Sequence, residues 1–297
     1  MLSMKNESLT IKHRVLPVLA VLACVTVLWY VGCVALNAAG AIERVLAPKG
    51  PYSLGDLVRS TLDMQRPVLP SPHQVLMDLW SSLTGWPLDS PRNLLYHVAV
   101  TAQSTLVGFV LGTLLGVVLA AAIVHSRTLD RALLPWIVAS QTVPVLAIAP
   151  IVLVILGSLG FSGVAPKAAI AMYLCFFPVT VACVQGLRSP QRIETELMHT
   201  YAASRLEAFW MLRLPAALPF LFPSLRVAIA AGLVGAMVAE LPTGAQAGLG
   251  AKLLTGSYYG NTVGIWSALV MSALLGLALT AAVAGIERLV LRQRRLA

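Results

Sequence analysis

Charged residues are scarce in this 297-residue chain: Asp, Glu, Lys and Arg together make up 11% of it, whereas hydrophobic residues make up 58%. Soluble domains carry about 25% charged and about 45–50% apolar residues. A soluble globular enzyme is therefore excluded. A disordered linker protein is excluded as well, because disordered chains are poor in apolar residues and rich in charge. The composition is that of an integral membrane protein.

Cysteine is also rare, with four residues that all lie inside apolar stretches. None forms a Cys-x-x-Cys pair, so the sequence indicates neither a disulfide framework nor a zinc site. His97, His125 and His199 lack the spacing of metal ligands. We therefore expect no metal site and no catalytic residue in this chain.

Six stretches are long and apolar enough to cross a bilayer, whose hydrocarbon core of about 30 Å requires about 20 helical residues. Five are free of charge, and only Arg226 interrupts the sixth. The predicted helices are, in chain order, 15–37, 98–124, 133–156, 167–187, 218–240 and 264–286. The predicted fold class is all-α, a polytopic membrane protein with six transmembrane helices.

The basic residues are distributed unevenly around these spans. If the N-terminus is cytoplasmic, thirteen Lys and Arg residues lie inside and seven outside, five of the seven in one long loop. Because cytoplasmic loops carry an excess of Lys and Arg, we predict that both termini are cytoplasmic. The lipid bilayer thus accounts for the net charge of +9 without a nucleic-acid partner.

The predicted organisation has five parts. They are a cytoplasmic tail at 1–14, a first transmembrane helix at 15–37, an external segment with an amphipathic helix at 38–96, a main transmembrane domain at 97–287 and a basic cytoplasmic tail at 288–297. The first apolar run could instead be a secretory signal, but its 28 uncharged residues and the lack of a small-x-small cleavage site favour a retained helix. In the external segment, which is rich in Pro and Gly and predicted to be irregular, Ser71 and Pro72 have the character of a helix start.

The loop at 188–214 is too polar to span the membrane and too rich in helix-favouring residues to be a passive turn. Pro190 can open a helix, Glu194 and Glu196 suit its positive end, and a second helix would carry Phe209 and Trp210. Two short helices along the membrane predict a docking surface, and an amphipathic hairpin resting on lipid is the open alternative. Prolines 215, 219 and 223 follow at four-residue spacing, which predicts a stiff or bent entry into the next span.

This loop and the residues after it resemble the permease subunit of binding-protein-dependent ABC importers, in the branch for nitrate, sulfonates, taurine, bicarbonate and some heterocyclic compounds. The family motif Glu-Ala-Ala, three residues, Gly, then nine residues to a Leu-Pro ending places its Glu at Glu196 and its Gly at Ala202. Leu197 and Met198 replace the two alanines. Closer matches are Leu69 to Pro72, Arg213 to Pro219, Pro223 to Ala230 and Val238 to Glu240.

The resemblance implies a type I importer permease fold in a bacterial-type inner membrane, with a second permease copy as a homodimer. It also implies a cytoplasmic ABC ATPase dimer and an external solute-binding protein as partners. ATP and Mg would be bound by the ATPase, and no cofactor by this chain, which has no Gly-x-x-x-x-Gly-Lys-Ser/Thr phosphate loop. The residues assigned by resemblance to ATPase coupling are Glu196, Ala202, Ala203, Phe209, Leu214 and Pro215.

Polar residues within the spans indicate where a solute would pass, because buried polar groups in a bundle face other helices or a water-filled path. The candidates for the solute path are Ser140, Gln141, Thr142, Tyr173 and Glu240. An interhelical hydrogen bond is the alternative role for the hydroxyl and amide side chains. For Glu240 the alternative is to fix the outer end of the fifth predicted helix or the glycine-rich loop after it. The scarcity of charge predicts a small neutral or weakly charged solute, and 240–252 resembles permeases for pyrimidine-like compounds. A self-sufficient secondary transporter or channel is the alternative function.

Overall fold

The computed structural model describes residues 2–242 and 247–295, and within these ranges the chain is helical without a β-strand. The twelve α-helices described are α1 (Leu2–Ala41), α2 (Leu54–Leu62), α3 (Pro72–Thr84), α4 (Leu94–His125), α5 (Arg127–Ser140), α6 (Val145–Ser158), α7 (Val164–Leu187), α8 (Arg192–Thr200), α9 (Arg205–Ala208), α10 (Leu214–Ala239), α11 (Leu249–Tyr259) and α12 (Thr262–Arg295). A π-helical turn, Ile42–Leu46, follows α1, and a second, Phe209–Arg213, joins α9 to α10.

Five helical segments are long and apolar enough to cross a membrane, and they contain α1, α4, α7, α10 and α12. The pair formed by α5 and α6 also qualifies if it counts as one bent span, which gives the six that were predicted. The predicted helix 133–156 is wrong as a continuous element, because the chain bends by 103° between Ser140 and Val145. Pro144 has no N–H to continue the helical ladder, and it serves as the N-cap of α6.

Residues 1–87 and 255–268 form one compact unit. In it, the buried amide of Asn37 on α1 donates to the carbonyl of Leu69 at 2.8 Å and accepts from the N–H of Val68 at 2.7 Å. The indole N–H of Trp29 donates to the carbonyl of Pro70 at 3.0 Å. These bonds satisfy backbone groups that lie outside regular structure, so α1 holds the segment that leads into α3.

The start of α3 is confirmed: Ser71 is the N-cap, Pro72 is the first helical residue, and the N–H of Ser71 donates to the Gln74 side chain at 3.1 Å. The prediction of irregular backbone through the rest of this segment is wrong for α2. Ser53 and Asp56 form a reciprocal capping box that starts this helix, in which the N–H of Ser53 donates to Asp56 Oδ2 at 3.0 Å.

The described residues of 88–254 and 269–295 form the second unit, in which α7 packs against both α4 and α10. Three glycines of α4, Gly108, Gly112 and Gly116, follow at four-residue spacing and face α7. A Cβ on Gly108 would lie 2.4 Å from the Cβ of Ala171, and one on Gly112 would lie 2.6 Å from the Cβ of Cys175. Small residues in this register let the two backbones approach closely, as is common in membrane bundles.

Glycines also allow α7 and α10 to pack closely. A Cβ on Gly232 would lie 2.6 Å from the sulfur of Cys175, and one on Gly235 would lie 3.0 Å from the Cα of Ala171. A further apolar cluster, formed around Ala149, Ile170 and Ala239, packs α6 against α7 and α10. Helix α7 is therefore the central element of this unit.

We predict that Gly112→Ala destabilises the protein by about 1–3 kcal/mol, because the added methyl overpacks the contact between α4 and α7. Gly285→Ala is the matched control, since its Cβ would meet no atom within 4 Å. The thermal unfolding midpoints of the purified variants in detergent measure both effects. Equal midpoints for Gly112→Ala and the native protein would contradict this description of the packing.

Candidate functional site

The residues from 192 to 213, which we name the 192–213 hairpin, fold into α8, a tight turn, α9 and the second π-helical turn. Ala202 makes the turn with φ of +52°, and among the described residues it is the only one other than glycine with positive φ. Its N–H donates to the carbonyl of His199 at 2.9 Å, and the N–H of Ala203 donates to that of Met198 at 3.0 Å. A left-handed conformation costs an L-residue about 1–2 kcal/mol, so alanine makes this turn at some cost.

Ser204 starts the second arm of the 192–213 hairpin. Its N–H donates to Glu207 Oε2 at 2.7 Å, and the N–H of Glu207 donates to the Ser204 hydroxyl at 3.3 Å. These hydrogen bonds lock the entry to a helix that is too short to be stable alone. The turn is thus defined on one side by Ala202 and on the other by the capping box.

Apolar side chains are exposed on both arms of the 192–213 hairpin. Leu197 is 55% exposed and Tyr201 77% exposed, and the other exposed ones are Ile193, Leu206, Trp210 and Met211. Glu196 is also exposed, and its carboxylate pairs with the Arg192 guanidinium at 2.7 Å. A helical hairpin that presents large apolar side chains beside charged ones has the composition of a protein-docking or lipid-facing surface.

Phe209 has a different place from the exposed residues. Its ring lies 5.1 Å from that of His125, at the end of α4, and it packs against the hydrophobic core of the second unit. Leu214 and Pro215 follow the π-helical turn as the first residues of α10, and Pro215 has no N–H to donate to the preceding helical turn. The six predicted coupling residues therefore divide into the tip of the hairpin, with Glu196, Ala202 and Ala203, and its root, with Phe209, Leu214 and Pro215.

The root of the hairpin continues directly into the membrane span. Helical backbone runs without a break from Arg205 through the π-helical turn to Ala239, over 35 residues. We name this continuous helix, from Arg205 to Ala239, the rod. Pro219 and Pro223 lie within it, and the stiff or bent entry stays a prediction. At about 1.5 Å per residue, the rod is about 50 Å long.

Four of the five predicted solute-path residues meet at the bend between α5 and α6. The Tyr173 hydroxyl, on α7, donates to the carbonyl of Ser140, which the end of α5 leaves without a helical partner. The hydroxyls of Ser140 and Thr142 donate to backbone carbonyls one turn back, at 2.7 and 2.8 Å, and the side chain of Gln141 is exposed. The bend therefore presents an amide side chain, with donors and acceptors, next to a fixed tyrosine.

Glu240 lies in a separate group. It follows the last residue of α10, and it is 0% exposed. Its carboxylate accepts from the Thr101 hydroxyl at 3.0 Å and from the N–H of Gly250 at 2.8 Å, and it lies 3.5 Å from the ammonium group of Lys167. The charge is thus buried with a cation and with hydrogen-bond donors, as a buried carboxylate requires.

Around Glu240, side chains from α4 and α7 hold the backbone that enters α11. The N–H of Gly248 donates to His97 Nδ1 at 3.0 Å, and that of Leu249 donates to the Thr101 hydroxyl at 2.8 Å. Lys167 donates to the carbonyl of Ala247 at 2.9 Å. We name His97, Thr101, Lys167 and Glu240 the buried polar cluster. It fixes the start of α11, and its members take part in bonds within the chain.

The side chain of Glu240 fits in its place because two neighbouring residues are glycines. A Cβ on Gly248, whose φ is +124°, would lie 2.1 Å from the carboxyl carbon of Glu240. A Cβ on Gly250 would lie 2.3 Å from the carbonyl oxygen of Met237 and 2.9 Å from the Cβ of Glu240. The glycine-rich stretch after α10 is thus a requirement of close packing at these two positions.

Sequence reasoning missed part of this cluster. The sequence assigns no partner to Lys167 or His97, because the residues that they contact lie about 80 and 150 positions away along the chain. Arg226, which interrupts one apolar stretch, forms an ion pair with Glu287 of α12. A charged residue at the start of a predicted span was the available signal for Lys167.

The chain is similar in sequence to a family of membrane transport proteins. The sequence profile of the family described as "Binding-protein-dependent transport system inner membrane component" matches residues 112–295. The formylaminopyrimidine transport permease protein ThiX of Halalkalibacterium halodurans is 32% identical over 231 residues, which are 77% of this chain and 86% of that protein. The riboflavin transport system permease protein RibX of Chloroflexus aurantiacus is 32% identical over 225 residues, 76% of this chain and 80% of that protein. The taurine transport system permease protein TauC of Escherichia coli is 29% identical over 192 residues, 64% of this chain and 68% of that protein.

For the buried polar cluster we predict strong coupling between Lys167 and Glu240. Lys167→Met leaves a buried carboxylate without its cation and should cost about 3 kcal/mol of stability. Glu240→Gln should also destabilise, whereas the double variant should cost less than the sum of the single ones, because it buries no unpaired charge. The thermal unfolding midpoints of the native chain, the two single variants and the double variant together form a double-mutant cycle.

Lys252→Met is the control for this cycle, because Lys252 is only half-buried and forms none of the ion pairs among the described residues. It should leave the midpoint nearly unchanged. Additive effects of the two single variants would contradict a direct interaction between Lys167 and Glu240.

Proposed function

The chain belongs to the family of binding-protein-dependent transport system inner membrane components, and from this premise we propose how it works within its transporter. It is the transmembrane permease subunit of an ABC importer for a small solute, with the type I permease fold, in the bacterial plasma membrane. In our proposal, the 192–213 hairpin receives the ATPase, two copies of the chain enclose the path, and a solute-binding protein delivers the solute from outside.

The observation that carries this proposal is the continuity between the 192–213 hairpin and α10. Exposed Leu197 and Tyr201 form the apolar part of a surface that can bury itself in a groove of a partner. Because α9 and α10 are one helical rod, a displacement of the hairpin is carried into the membrane by the backbone itself. A hairpin that only rested on lipid would need no such rigid connection.

ATP and Mg belong to the partner ATPase in this proposal. Closure of two ATPases around ATP would bring the two hairpins together, and their return would follow hydrolysis. Each hairpin would tilt its α10 against α7, whose close contacts with α4 and α10 allow rigid displacement and little deformation. The two tilts would open the path alternately to the two sides.

The bend between α5 and α6 supports a role in the solute path. Irregular backbone at membrane depth is tolerated where it is buried in protein or lines a water-filled cavity. The exposed side chain of Gln141 lies at this bend, beside the carbonyl of Ser140 that Tyr173 holds. We assign Ser140, Gln141, Thr142 and Tyr173 to solute contact. Glu240, in contrast, is assigned to the support of α11, since it is fully buried among partners of its own chain.

For the solute we propose a small nitrogen heterocycle of the pyrimidine type. The Gln141 amide offers donors and an acceptor to such a ring, and the Tyr173 oxygen can still accept while its proton is donated to Ser140. This group of residues brings no charge to the bend. Two relatives that are 32% identical carry names for formylaminopyrimidine and riboflavin transport. The taurine relative, whose solute is a zwitterion, is 29% identical over a smaller share of the chain.

The docking assignment predicts that Leu197→Asp lowers ATPase association and ATP-driven uptake by about tenfold or more, since it places an unpaired charge in an apolar contact. Co-purification of the ATPase with the membrane-embedded chain, and uptake into proteoliposomes, are the measurements. Leu159→Asp is the matched control: this leucine is likewise exposed, and it follows α6 in a different part of the chain. Full ATPase binding by Leu197→Asp would show that α8 is not the docking element.

The solute assignment predicts that ATP-driven uptake by the complete transporter is inhibited by aminopyrimidines and not by taurine or nitrate. A competition assay with radiolabelled formylaminopyrimidine measures this directly. Gln141→Ala should raise KM with a smaller effect on ATP turnover, because the amide would bind the solute and not the ATPase. Competition by taurine or nitrate, with no competition by aminopyrimidines, would refute the assignment.

A further inference from the structure

The first unit contains a cavity of about 710 Å³ that no step of the transport mechanism uses. It lies between the π-helical turn after α1 and the helix α2. Arginine side chains reach it from three different places: Arg44 from the π-helical turn, Arg59 from α2 and Arg66 from the segment before α3. Tyr52, Asp56 and Asp63 also line it.

The two carboxylates of this cavity are occupied by neighbouring groups. Asp56 accepts hydrogen bonds from the N–H of Ser53 at 3.0 Å and from its hydroxyl at 2.7 Å, which lower the pKa of Asp56. Asp63 lies 3.6 Å from the ring of His73. None of the ion pairs among the described residues includes Arg44, Arg59 or Arg66. The lining thus carries three guanidinium groups and two carboxylates, a net charge of +1, and the charge of Arg59 also contributes to the lowered pKa of Asp56.

The position of the cavity along α1 places it at a membrane surface. The charge-free run 15–42 is about 42 Å long as a helix, which matches the about 40–45 Å of a bilayer with its headgroups. Arg44 follows this run by two residues. It therefore lies at headgroup level, where guanidinium groups meet lipid phosphates.

Helix α2 also has the character of an interfacial helix. Leu54 and Val58 are exposed and lie one turn apart, whereas Asp56, Arg59 and Ser60 of the same helix face the cavity. An exposed apolar face beside a basic cavity suits an amphiphilic ligand better than a free ion. The acyl chains of such a ligand would lie against apolar surface while its headgroup occupied the cavity.

We propose that this cavity binds a phosphate ester at the membrane surface, and that its source is the headgroup of an anionic phospholipid. Arg44, Arg59 and Arg66 donate charge-assisted hydrogen bonds to the phosphate oxygens, a geometry for which the planar guanidinium is well suited. The assignment is independent of which solute the transporter carries.

The test uses the purified full chain in a neutral detergent, titrated with short-chain phosphatidylglycerol, short-chain phosphatidylcholine or inorganic phosphate. Phosphatidylglycerol should raise the unfolding midpoint of the native chain more than the other two do. The variant Arg59→Gln/Arg66→Gln should bind phosphatidylglycerol at least about tenfold more weakly. Arg92→Gln, which changes an exposed arginine outside the cavity, should respond like the native chain.

Each other outcome counts against the proposal. An unchanged affinity in the cavity variant would remove the site, and an equal loss in Arg92→Gln would reduce it to unspecific charge. An equal response to inorganic phosphate would assign the cavity to a free anion and overturn the lipid source. If the cavity variant no longer bound the external solute-binding protein but still responded to phosphatidylglycerol, the cavity would be a protein contact and not a lipid site. Arg59→Lys/Arg66→Lys, with an intermediate loss expected, serves if the glutamine variant does not fold.

Discussion

Helix α7 can lie directly against α4 and α10 only because small residues line both contacts. Gly108, Gly112 and Gly116 bring α4 within backbone distance of α7, and Gly232 and Gly235 do the same for α10. In a bilayer the hydrophobic effect does little to drive helices together, so close packing supplies much of the attraction between α7 and its two neighbours. It also limits how the unit can deform, because close-packed helices shift as rigid bodies.

This constraint gives α10 its importance. One end of the rod from Arg205 to Ala239 carries the turn at Ala202 and the capping box at Ser204, and the other end is followed by the buried carboxylate of Glu240. Glu240 in turn holds the N–H of Gly250, at the start of α11. One continuous helix and the hydrogen bond of Glu240 thus connect the 192–213 hairpin to the start of α11. The π-helical turn Phe209–Arg213 is the one irregular stretch of this rod, at its root.

The number of spans, the start of α3 and the family could be predicted from the sequence, because each depends on local features. These features are the length of the apolar stretches, the Ser71–Pro72 pair and the spacing of the motif. The sequence did not predict the bend of 103° between α5 and α6. Pro144 predicts a break in the helix, but the angle between α5 and α6 depends on the residues against which α6 packs. The contacts of the buried polar cluster were also missed, since His97 and Thr101 lie on α4, Lys167 lies on α7 and Glu240 follows α10.

The most direct test of the account is the distance between the two ends of the rod during transport. Spin labels at Leu206 and Leu241, in a variant in which the exposed Cys24 is replaced by serine, report this distance by pulsed electron paramagnetic resonance. The account predicts one distance, near 50 Å from about 1.5 Å per residue, in the ATP-trapped and the nucleotide-free transporter alike. A change of several Å between the two states would show that the helix bends at its π-helical turn or its prolines, and that the hairpin does not move with α10 as one body.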